Sequence, residues 1–413
     1  MLHKIGVPVA RYLFEASLRY LKIHNPHSAR AVSPVTKAPV LVLHSGASLG
    51  AGGADHVKPW LPHLRAAGVE YLIVARTMDT YEALLAAHPG EPVSLIKGSR
   101  DTDMLFGKFG SIRAVLYVAN TANNNQLLRY PGVSHVFLGH GDSDKSASMN
   151  RLFKVYDEIF VSGQAHIDRF RHADFDTRGM NFRIVGRPQV ARLLDEDGDS
   201  VRAPSRILWL PTWEGYHEDQ AYSSLPFAKE LLSAALASGL PVQAKLHPAT
   251  GVFDKRYCTA EQDICAALPA GPTAVTFIDR ATHLADVLAR DAVFVCDVSA
   301  AVSECLALDR PIFVHVPQGQ GVRILSGRLG YEDYAYTFSS VAEFTAKLQR
   351  VLAGDDHLAG ARHAAREYFI SPRAVRAQAF QQALHALAGL TTLPGAEASA
   401  SSRPSPSLEA ISP

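Results

Sequence analysis

The sequence has little of what ties a chain to a membrane, a metal or an oxidising compartment. It contains no run of about 18 apolar residues, so we expect no transmembrane helix, and no signal peptide is apparent at its start. Its four cysteines, at 258, 265, 296 and 305, form no Cys-x-x-Cys pair. Their spacing does not suit a zinc site and indicates thiols in a reducing cytoplasm.

The chain also has no marked excess of positive or negative charge. Lys and Arg number 41 against 40 Asp and Glu, which gives a formal net charge of +1. A nucleic-acid-binding domain is typically strongly basic, so we expect no nucleic acid partner. The hydrophobic fraction of 47% and the charged fraction of 20% are those of a soluble globular protein, and 413 residues fit two domains.

The first 37 residues depart from this balance. They hold six Lys and Arg against one acid, Glu15, and Pro8 suits a first helical turn. At helical spacing the apolar and basic side chains fall on opposite faces. Such a helix either binds an anionic membrane surface through residues 1–24 or packs on the first domain with its basic face solvated, and both interpretations stay open.

Two series of short apolar runs alternate with helical stretches, which predicts two doubly wound α/β domains with parallel sheets. The first series has predicted strands at 40–43, 71–75, 93–96, 114–118, 135–138 and 159–161. The second has predicted strands at 207–210, 242–246, 274–278, 292–296 and 312–314. We place the domains at 40–193 and 206–389, between a helix and linker over 1–39 and a disordered tail over 390–413.

The most informative motif is the loop 139–145, with the sequence GHGDSDK, which follows the predicted strand 135–138. Open α/β sheets bind ligands at the carboxyl ends of their strands, and a histidine there can accept a proton near neutral pH. Asp142 and Asp144 either orient His140 or are solvated in the loop, and a metal site formed by all three is a weaker alternative. We expect no obligatory cofactor, and a role for Mg²⁺ stays open.

Two polar motifs end strands of the second series. After the strand 207–210, Thr212 can donate to a phosphate, whereas Trp213 offers either a stacking face or a core side chain. After the strand 242–246, Lys245 and His247 share one side by strand alternation and suit a pyrophosphate. The alternative explanation is a structural ion pair for Lys245 and a hydrogen-bonded structural role for His247.

A third motif, Asp297-Val298-Ser299, breaks a strand and enters a helix. Ser299 lies at the helix N-cap, where it either binds an anion or only caps the helix. The glycine-rich loop 44–53 is neither GxGxxG nor a Walker loop, so it is a weak candidate for phosphate binding and otherwise a flexible loop over the cleft. No Gly-x-Ser-x-Gly nucleophile elbow is present.

In chain order these motifs resemble those of the CDP-glycerol glycerophosphotransferase family, the teichoic-acid and capsule polymerases. The matching His-Gly, Pro-Thr-Trp, Lys-x-His-Pro and Asp-x-Ser segments lie at 139–141, 211–213, 245–248 and 297–300. The resemblance implies the GT-B fold, in which two Rossmann-like domains face a cleft.

The resemblance also implies roles for single residues. His140 would be the general base that activates an acceptor hydroxyl, and His247 and Ser299 would bind the donor phosphates. Asp286 matches the family's preceding acidic residue more weakly. The candidate catalytic residues are His140, Asp142 and Lys145. The candidate donor-binding residues are Thr212, Lys245, His247, Asp286, Asp297, Ser299 and Ala300.

Some positions depart from the family pattern. Val298 and Ala300 replace a tyrosine and the second serine, and the segment 142–145 replaces Thr-Pro-Leu-Lys while keeping Lys145. These departures put the donor in question more than the fold.

The implied function is the transfer of glycerol phosphate, or a related polyol phosphate, from a CDP-linked donor such as CDP-glycerol. The acceptor would be a hydroxyl of a cell-envelope glycan or a lipid-linked molecule, CMP would be released, and the protein would be cytoplasmic or peripheral on the inner membrane face. The alternatives are a glycosyltransferase using a nucleotide-sugar, a non-catalytic binding protein, and a nucleotide-sugar epimerase of the same fold.

Overall fold

A computed structural model describes residues 37–141, 143–145, 149–195, 203–215, 220–268, 274–318, 322–325 and 327–390. The predicted amphipathic helix over 1–39 and the predicted tail over 390–413 lie almost wholly outside the described residues. In the parts that are described, no helix has both the length and the apolarity needed to cross a bilayer.

The first half of the described chain forms a seven-stranded sheet in which all neighbouring strands are parallel. The strands are β1 (Leu41–Ser45), β2 (Tyr71–Ala75), β3 (Val93–Leu95), β4 (Ala114–Tyr117), β5 (Ser134–Phe137), β6 (Glu158–Val161) and β7 (Phe182–Ile184). Their order is β3-β2-β1-β4-β5-β6-β7. All five residues of β1 are buried, as expected for a central strand with both faces covered.

Helices cover this sheet between its strands. They are α1 (Leu61–Ala67), α2 (Met78–Ala87), α3 (Ser99–Lys108), α4 (Asn125–Leu128), α5 (Gln164–Arg171) and α6 (Ala191–Asp195).

The second half forms a six-stranded parallel sheet with the order β10-β9-β8-β11-β12-β13. The strands are β8 (Arg206–Leu210), β9 (Val242–Ala244), β10 (Val275–Phe277), β11 (Ala292–Asp297), β12 (Ile312–His315) and β13 (Tyr336–Phe338). The helices are α7 (Ala228–Leu236), α8 (Ala260–Ala267), α9 (Ala300–Cys305), α10 (Val341–Leu352), α11 (Ala359–Ile370), α12 (Pro372–Arg376) and α13 (Ala379–Leu387).

Helix α10 illustrates how the local sequence sets these elements. The Ser340 hydroxyl accepts a hydrogen bond from the Glu343 N–H (3.3 Å), which satisfies a free donor of the first turn. Phe344, Leu348 and Val351 then recur at helical spacing and are buried in the core beside β13.

Both sheets reverse their strand order at one point, between β1 and β4 and between β8 and β11. Ligands of doubly wound sheets bind at such switch points, beside the carboxyl ends of the strands. The predicted pair of doubly wound domains is therefore confirmed. The edge strands β7 and β13 were not predicted.

The last described helix, α13, returns to the first sheet. Phe380 packs against Trp60 with ring centroids 5.1 Å apart, and the His385 side chain hydrogen-bonds the Ala67 carbonyl through Nε2 (2.7 Å). The two halves of the chain are thus linked by packing as well as by the connection between them. The division at 193 and 206 stays a prediction.

Candidate active site

His140 lies two residues after Leu138, the buried side chain that follows β5. Gly139 has φ +71°, a backbone conformation that glycine adopts without strain, and this turn directs the chain into the cleft. The His140 Nδ1 is 2.8 Å from the Val118 carbonyl oxygen. Because a carbonyl can only accept, we assign the proton to Nδ1, which leaves the Nε2 lone pair free.

The surroundings of His140 favour the neutral imidazole. The ring is accessible through the cleft, but the protein of both domains displaces much of the bulk water around it. This burial lowers its pKa below the ordinary value, against the opposing effect of the Val118 hydrogen bond, and Arg187 lowers it further. His140 is therefore suited to accept a proton at neutral pH.

His56 lies directly against His140. The two imidazole rings are parallel within 8°, with centroids 3.5 Å apart. Burial lowers the pKa of His56 to about 2, with smaller contributions from His140 and His247. Sequence reasoning singled out the loop that precedes His56 for its glycines but did not identify this histidine.

Lys145 joins the two domains. Its ammonium donates to the Thr212 hydroxyl (2.7 Å) and lies 5.4 Å from the centre of the Tyr222 ring. Burial lowers the pKa of Lys145 to about 8, while the Asp297 carboxylate opposes that shift. The structure therefore brings together a candidate catalytic residue and a candidate donor-binding residue.

Asp297 is fully buried at the end of β11. Its Oδ2 accepts hydrogen bonds from the backbone N–H groups of Thr212 (2.8 Å) and Ser224 (3.0 Å). The His315 ring lies 3.6 Å from the other carboxylate oxygen. We therefore expect Asp297 to act on a ligand through the loop that carries Thr212.

Lys245 and His247 follow β9. The buried Lys245 ammonium donates to the Arg280 carbonyl (3.0 Å), so a backbone carbonyl accounts for one of its three hydrogens. The His247 Nδ1 accepts from the Ala249 N–H (3.1 Å), which assigns the hydrogen of the neutral ring to Nε2. The His247 side chain is exposed within the cleft, but the protein around it displaces bulk water and lowers its pKa to about 3, with help from Lys145 and Lys245.

Ser299 occupies the N-cap of α9, where its hydroxyl accepts from the Ala301 N–H (3.3 Å). Ala300 meets the first domain directly, because a Cβ placed on Gly141 would lie 3.1 Å from the Ala300 Cβ. Asp286, by contrast, is exposed and forms an ion pair with Arg192 (2.8 Å). The Asp286 carboxylate is thus engaged by a first-half residue at the surface.

The 139–145 loop contains two acidic residues, Asp142 and Asp144. Asp142 lies outside the described residues. Asp144 is buried and pairs with the buried Arg169 (3.0 Å), while its carbonyl accepts from the Leu325 N–H (2.7 Å). Of the two alternatives left open for Asp144, solvation in the loop does not apply, because this buried carboxylate forms an ion pair with Arg169.

Trp213 is half-buried beside Phe253, with ring centroids 5.4 Å apart. Phe253 is itself 41% exposed, so the pair presents aromatic surface at the end of β8. The choice between a stacking and a core role for Trp213 stays open.

Further charged and titratable groups that belong to no sequence motif lie near the same region. Arg187 and Glu304 form a buried ion pair between the two halves of the chain. Lys58 donates to the Ala281 carbonyl (2.9 Å) across the cleft. Burial and the neighbouring His283 lower the pKa of His63 to about 4. No three metal-ligating side chains cluster among the described residues.

Two Rossmann-like domains with imidazole and ammonium groups facing one cleft define a protein of the GT-B class. The sequence also matches the model of a known protein family. The profile described as CDP-Glycerol:Poly(glycerophosphate) glycerophosphotransferase matches residues 113–379, and the chain belongs to that family. It is accordingly an enzyme of the CDP-glycerol glycerophosphotransferase type, as the motifs predicted.

Solved structures agree on the fold. The wall teichoic acid polymerase TagF is 13% identical, with a TM-score of 0.54 over 92% of this chain and 97% of that chain. A TagF variant soaked with CDPG gives 12% identity and a TM-score of 0.56 over 92% and 96%. A Methanocaldococcus jannaschii UDP-GlcNAc 2-epimerase gives 12% identity and a TM-score of 0.51 over 83% and 99%. No curated protein matches this chain in sequence.

Proposed function

We propose that this enzyme transfers glycerol phosphate from CDP-glycerol to a hydroxyl of a cell-envelope glycan or lipid-linked acceptor and releases CMP. The observation that carries the proposal is the pair His140 and His247. The first has a free lone pair on Nε2 and the second a hydrogen on Nε2. One histidine is thus equipped to take a proton and the other to donate a hydrogen bond to a phosphate.

The reaction balances without a protein nucleophile. The acceptor hydroxyl gives its proton to His140 Nε2 as its oxygen forms a bond to the β-phosphorus of CDP-glycerol. The bond from that phosphorus to the bridging oxygen breaks, and the oxygen leaves with CMP. Such a step depends on positioning and on stabilising phosphate charge.

The charges around the cleft suit a pyrophosphate. Lys145 and Lys245 both lower the pKa of His247, which places the two ammonium groups within electrostatic range of that ring. Thr212, held by Asp297, and Ser299 add hydroxyl groups at neighbouring strand ends. These residues support donor binding in the second domain, with the acceptor base supplied by the first.

Ala300 favours one alternative. It replaces a serine of the family motif, so a hydroxyl ligand is missing at the start of α9. The enzyme would then transfer the sugar of a nucleotide-sugar donor to the acceptor hydroxyl and release a nucleoside diphosphate instead of CMP. The nucleotide product therefore separates the two reactions.

We further propose that the enzyme works at the inner membrane face, where lipid-linked acceptors are found. The basic residues of segment 1–24 support this location. Deleting that segment should weaken binding to anionic vesicles and leave the melting temperature of the domains unchanged. Unchanged vesicle binding would remove this part of the proposal.

The main test is a product assay with CDP-glycerol and an alkyl-linked disaccharide acceptor. Wild type should release CMP in step with acceptor loading, and His140→Ala should lower that rate about 10²-fold or more. His172→Ala, a change of an exposed histidine, serves as the control. Release of CDP or UDP from sugar donors alone, or CMP formation that survives His140→Ala, would overturn the proposal.

A further inference from the structure

The stacked imidazoles of His56 and His140 come from distant parts of the chain. His140 comes from a family motif, whereas His56 lies before residue 113, outside the part of the chain that the family profile matches. We propose that His56 is a positioning residue that holds the His140 ring in its reactive orientation and provides an uncharged aromatic face for the imidazolium. This inference rests on the proposed role of His140 as the base.

The loop that carries His56 is built to hold its ring in place. Gly52 has φ +83°, and a Cβ there would lie 2.6 Å from the His56 Nε2. The Gly52 carbonyl also accepts from the His56 N–H (2.9 Å). Gly53 has no room for a side chain either, since a Cβ would lie 2.4 Å from the Ala47 carbonyl oxygen. The glycines therefore allow the close approach that places His56 over His140.

Hydrogen bonding does not explain the position of the His56 ring. Its Nδ1 is buried, and no residue in the described part of the chain forms a hydrogen bond with it. A buried polar atom without a partner is unfavourable, so the Nδ1 atom does not hold the ring in place. The parallel contact with His140 is an interaction that can do so.

Because charged groups surround the His56 and His140 rings, a neutral ring beside His140 is more favourable than a charged one. Arg187 acts on His140, while His247 acts on His56 and is itself flanked by Lys145 and Lys245. A proton that binds to His140 therefore adds positive charge next to groups that are already positively charged. An aromatic face stabilises a cation by stacking without adding charge. His56 suits this role because burial lowers its pKa to about 2, which keeps the His56 ring neutral near neutral pH.

The test compares His56→Phe with His56→Ala. Phe retains a flat aromatic face, whereas Ala removes it and admits water beside His140. We expect Ala to lower kcat for CMP formation about 10²-fold and Phe to keep kcat within about threefold of wild type. Ala removes an aromatic face that favours the charged form of His140, but it also admits water, which favours that form more strongly because burial is the largest cause of the lowered His140 pKa. Ala should therefore raise the His140 pKa and move the acid limb of kcat/KM to higher pH.

The His140 pKa is measured directly by NMR titration of ¹³C-labelled histidine in the full chain without substrate. The resonance is assigned by its loss in His140→Gln. Ala should move this pKa upward and Phe should leave it low. The inference is wrong if His56→Ala leaves both the His140 pKa and kcat unchanged. It is also wrong if His56→Phe changes both quantities as much as His56→Ala does.

A second pair of variants covers a failure of His56→Ala to fold. Gly52→Ala should displace the His56 ring and change the His140 titration in the same direction. Gly50→Ala in the same loop is the matched control, because a Cβ there meets nothing within 4 Å. Equal titrations for these two variants would overturn the inference.

The titration also separates this inference from the proposed function. If the protein shows no CDP-glycerol activity, the proposed function fails, but a His140 pKa that depends on residue 56 still supports the pairing. If His140→Ala retains transfer while His56→Ala shifts the His140 pKa, the base assignment fails and the stacking holds.

Discussion

The Lys145 ammonium and the Thr212 hydroxyl are 2.7 Å apart, although one follows β5 of the first sheet and the other follows β8 of the second. The contact places a positive charge from the first domain beside a strand end of the second. Under the proposed function a pyrophosphate would be an alternative partner for both groups, so this pair would connect donor binding to the relative position of the domains.

The Lys145 charge should limit activity at alkaline pH. Burial lowers its pKa to about 8, so the ammonium is present below that pH and is lost above it. We expect kcat/KM for the donor to fall above about pH 8 in wild type and to lose that limb in Lys145→Met. Lys229→Met, at an exposed lysine of α7, is the control. An unchanged alkaline limb in Lys145→Met would show that another group titrates there.

The hydrogen on His247 Nε2 predicts a graded mutant series. A Gln side chain carries an amide N–H near the position of Nε2, whereas Asn is too short to reach it. A hydrogen bond to a charged group is worth about 1.5–3 kcal/mol, or roughly 10- to 10²-fold in donor affinity. We therefore expect His247→Gln to bind CDP-glycerol more tightly than His247→Asn in calorimetry. His357→Gln, at an exposed histidine, should bind like wild type. Equal losses in the Gln and Asn variants would argue against the assigned hydrogen.

Gly141 should tolerate no side chain. A methyl group there would lie 3.1 Å from the Ala300 Cβ, so the two loops would have to separate by a few tenths of an ångström. Because small displacements of reacting groups are costly, we expect Gly141→Ala to lower kcat about tenfold or more. Gly110→Ala, with open space around its Cβ, is the control for stability and rate. Full activity in Gly141→Ala would show that this contact is not maintained during turnover.

The buried Arg187–Glu304 pair should stabilise the joined domains. Removing one partner leaves an uncompensated buried charge, so we expect Arg187→Met to lower the free energy of unfolding by about 3–5 kcal/mol. Adding Glu304→Gln should restore part of that loss. Denaturant titration of the single and double variants measures the coupling between them. Strictly additive losses would mean that the two side chains act independently.

The sequence was informative where chemistry coincides with a strong local pattern. Central strands such as β1 and β11 are continuous apolar runs because both faces are buried, so the polar residues at their ends stand out. The edge strands β7 and β13 have only three residues each and were not recognised. Pairing with a neighbouring strand, rather than their own composition, makes them strands.

The same limit applies to the site. His140, His247 and Ser299 follow strands directly and could be found one motif at a time. His56 and Arg187 could not, because their roles depend on contacts with residues 84 and 117 positions away, and no local pattern encodes such contacts. The partner of Asp144 was missed for a similar reason, since Arg169 lies on α5.

The return of α13 to the first sheet has a consequence for synthesis on the ribosome. Phe380, Ala383 and Leu384 belong to the same buried cluster as Leu64 and Trp60 of the first sheet's covering layer. Chains elongate from the amino terminus, so this cluster stays incomplete until nearly all of the second domain has been translated. The first domain therefore leaves the ribosome first but completes its core only when α13 has been made. Nascent chains that stop before residue 379 should expose the apolar surface that α13 covers.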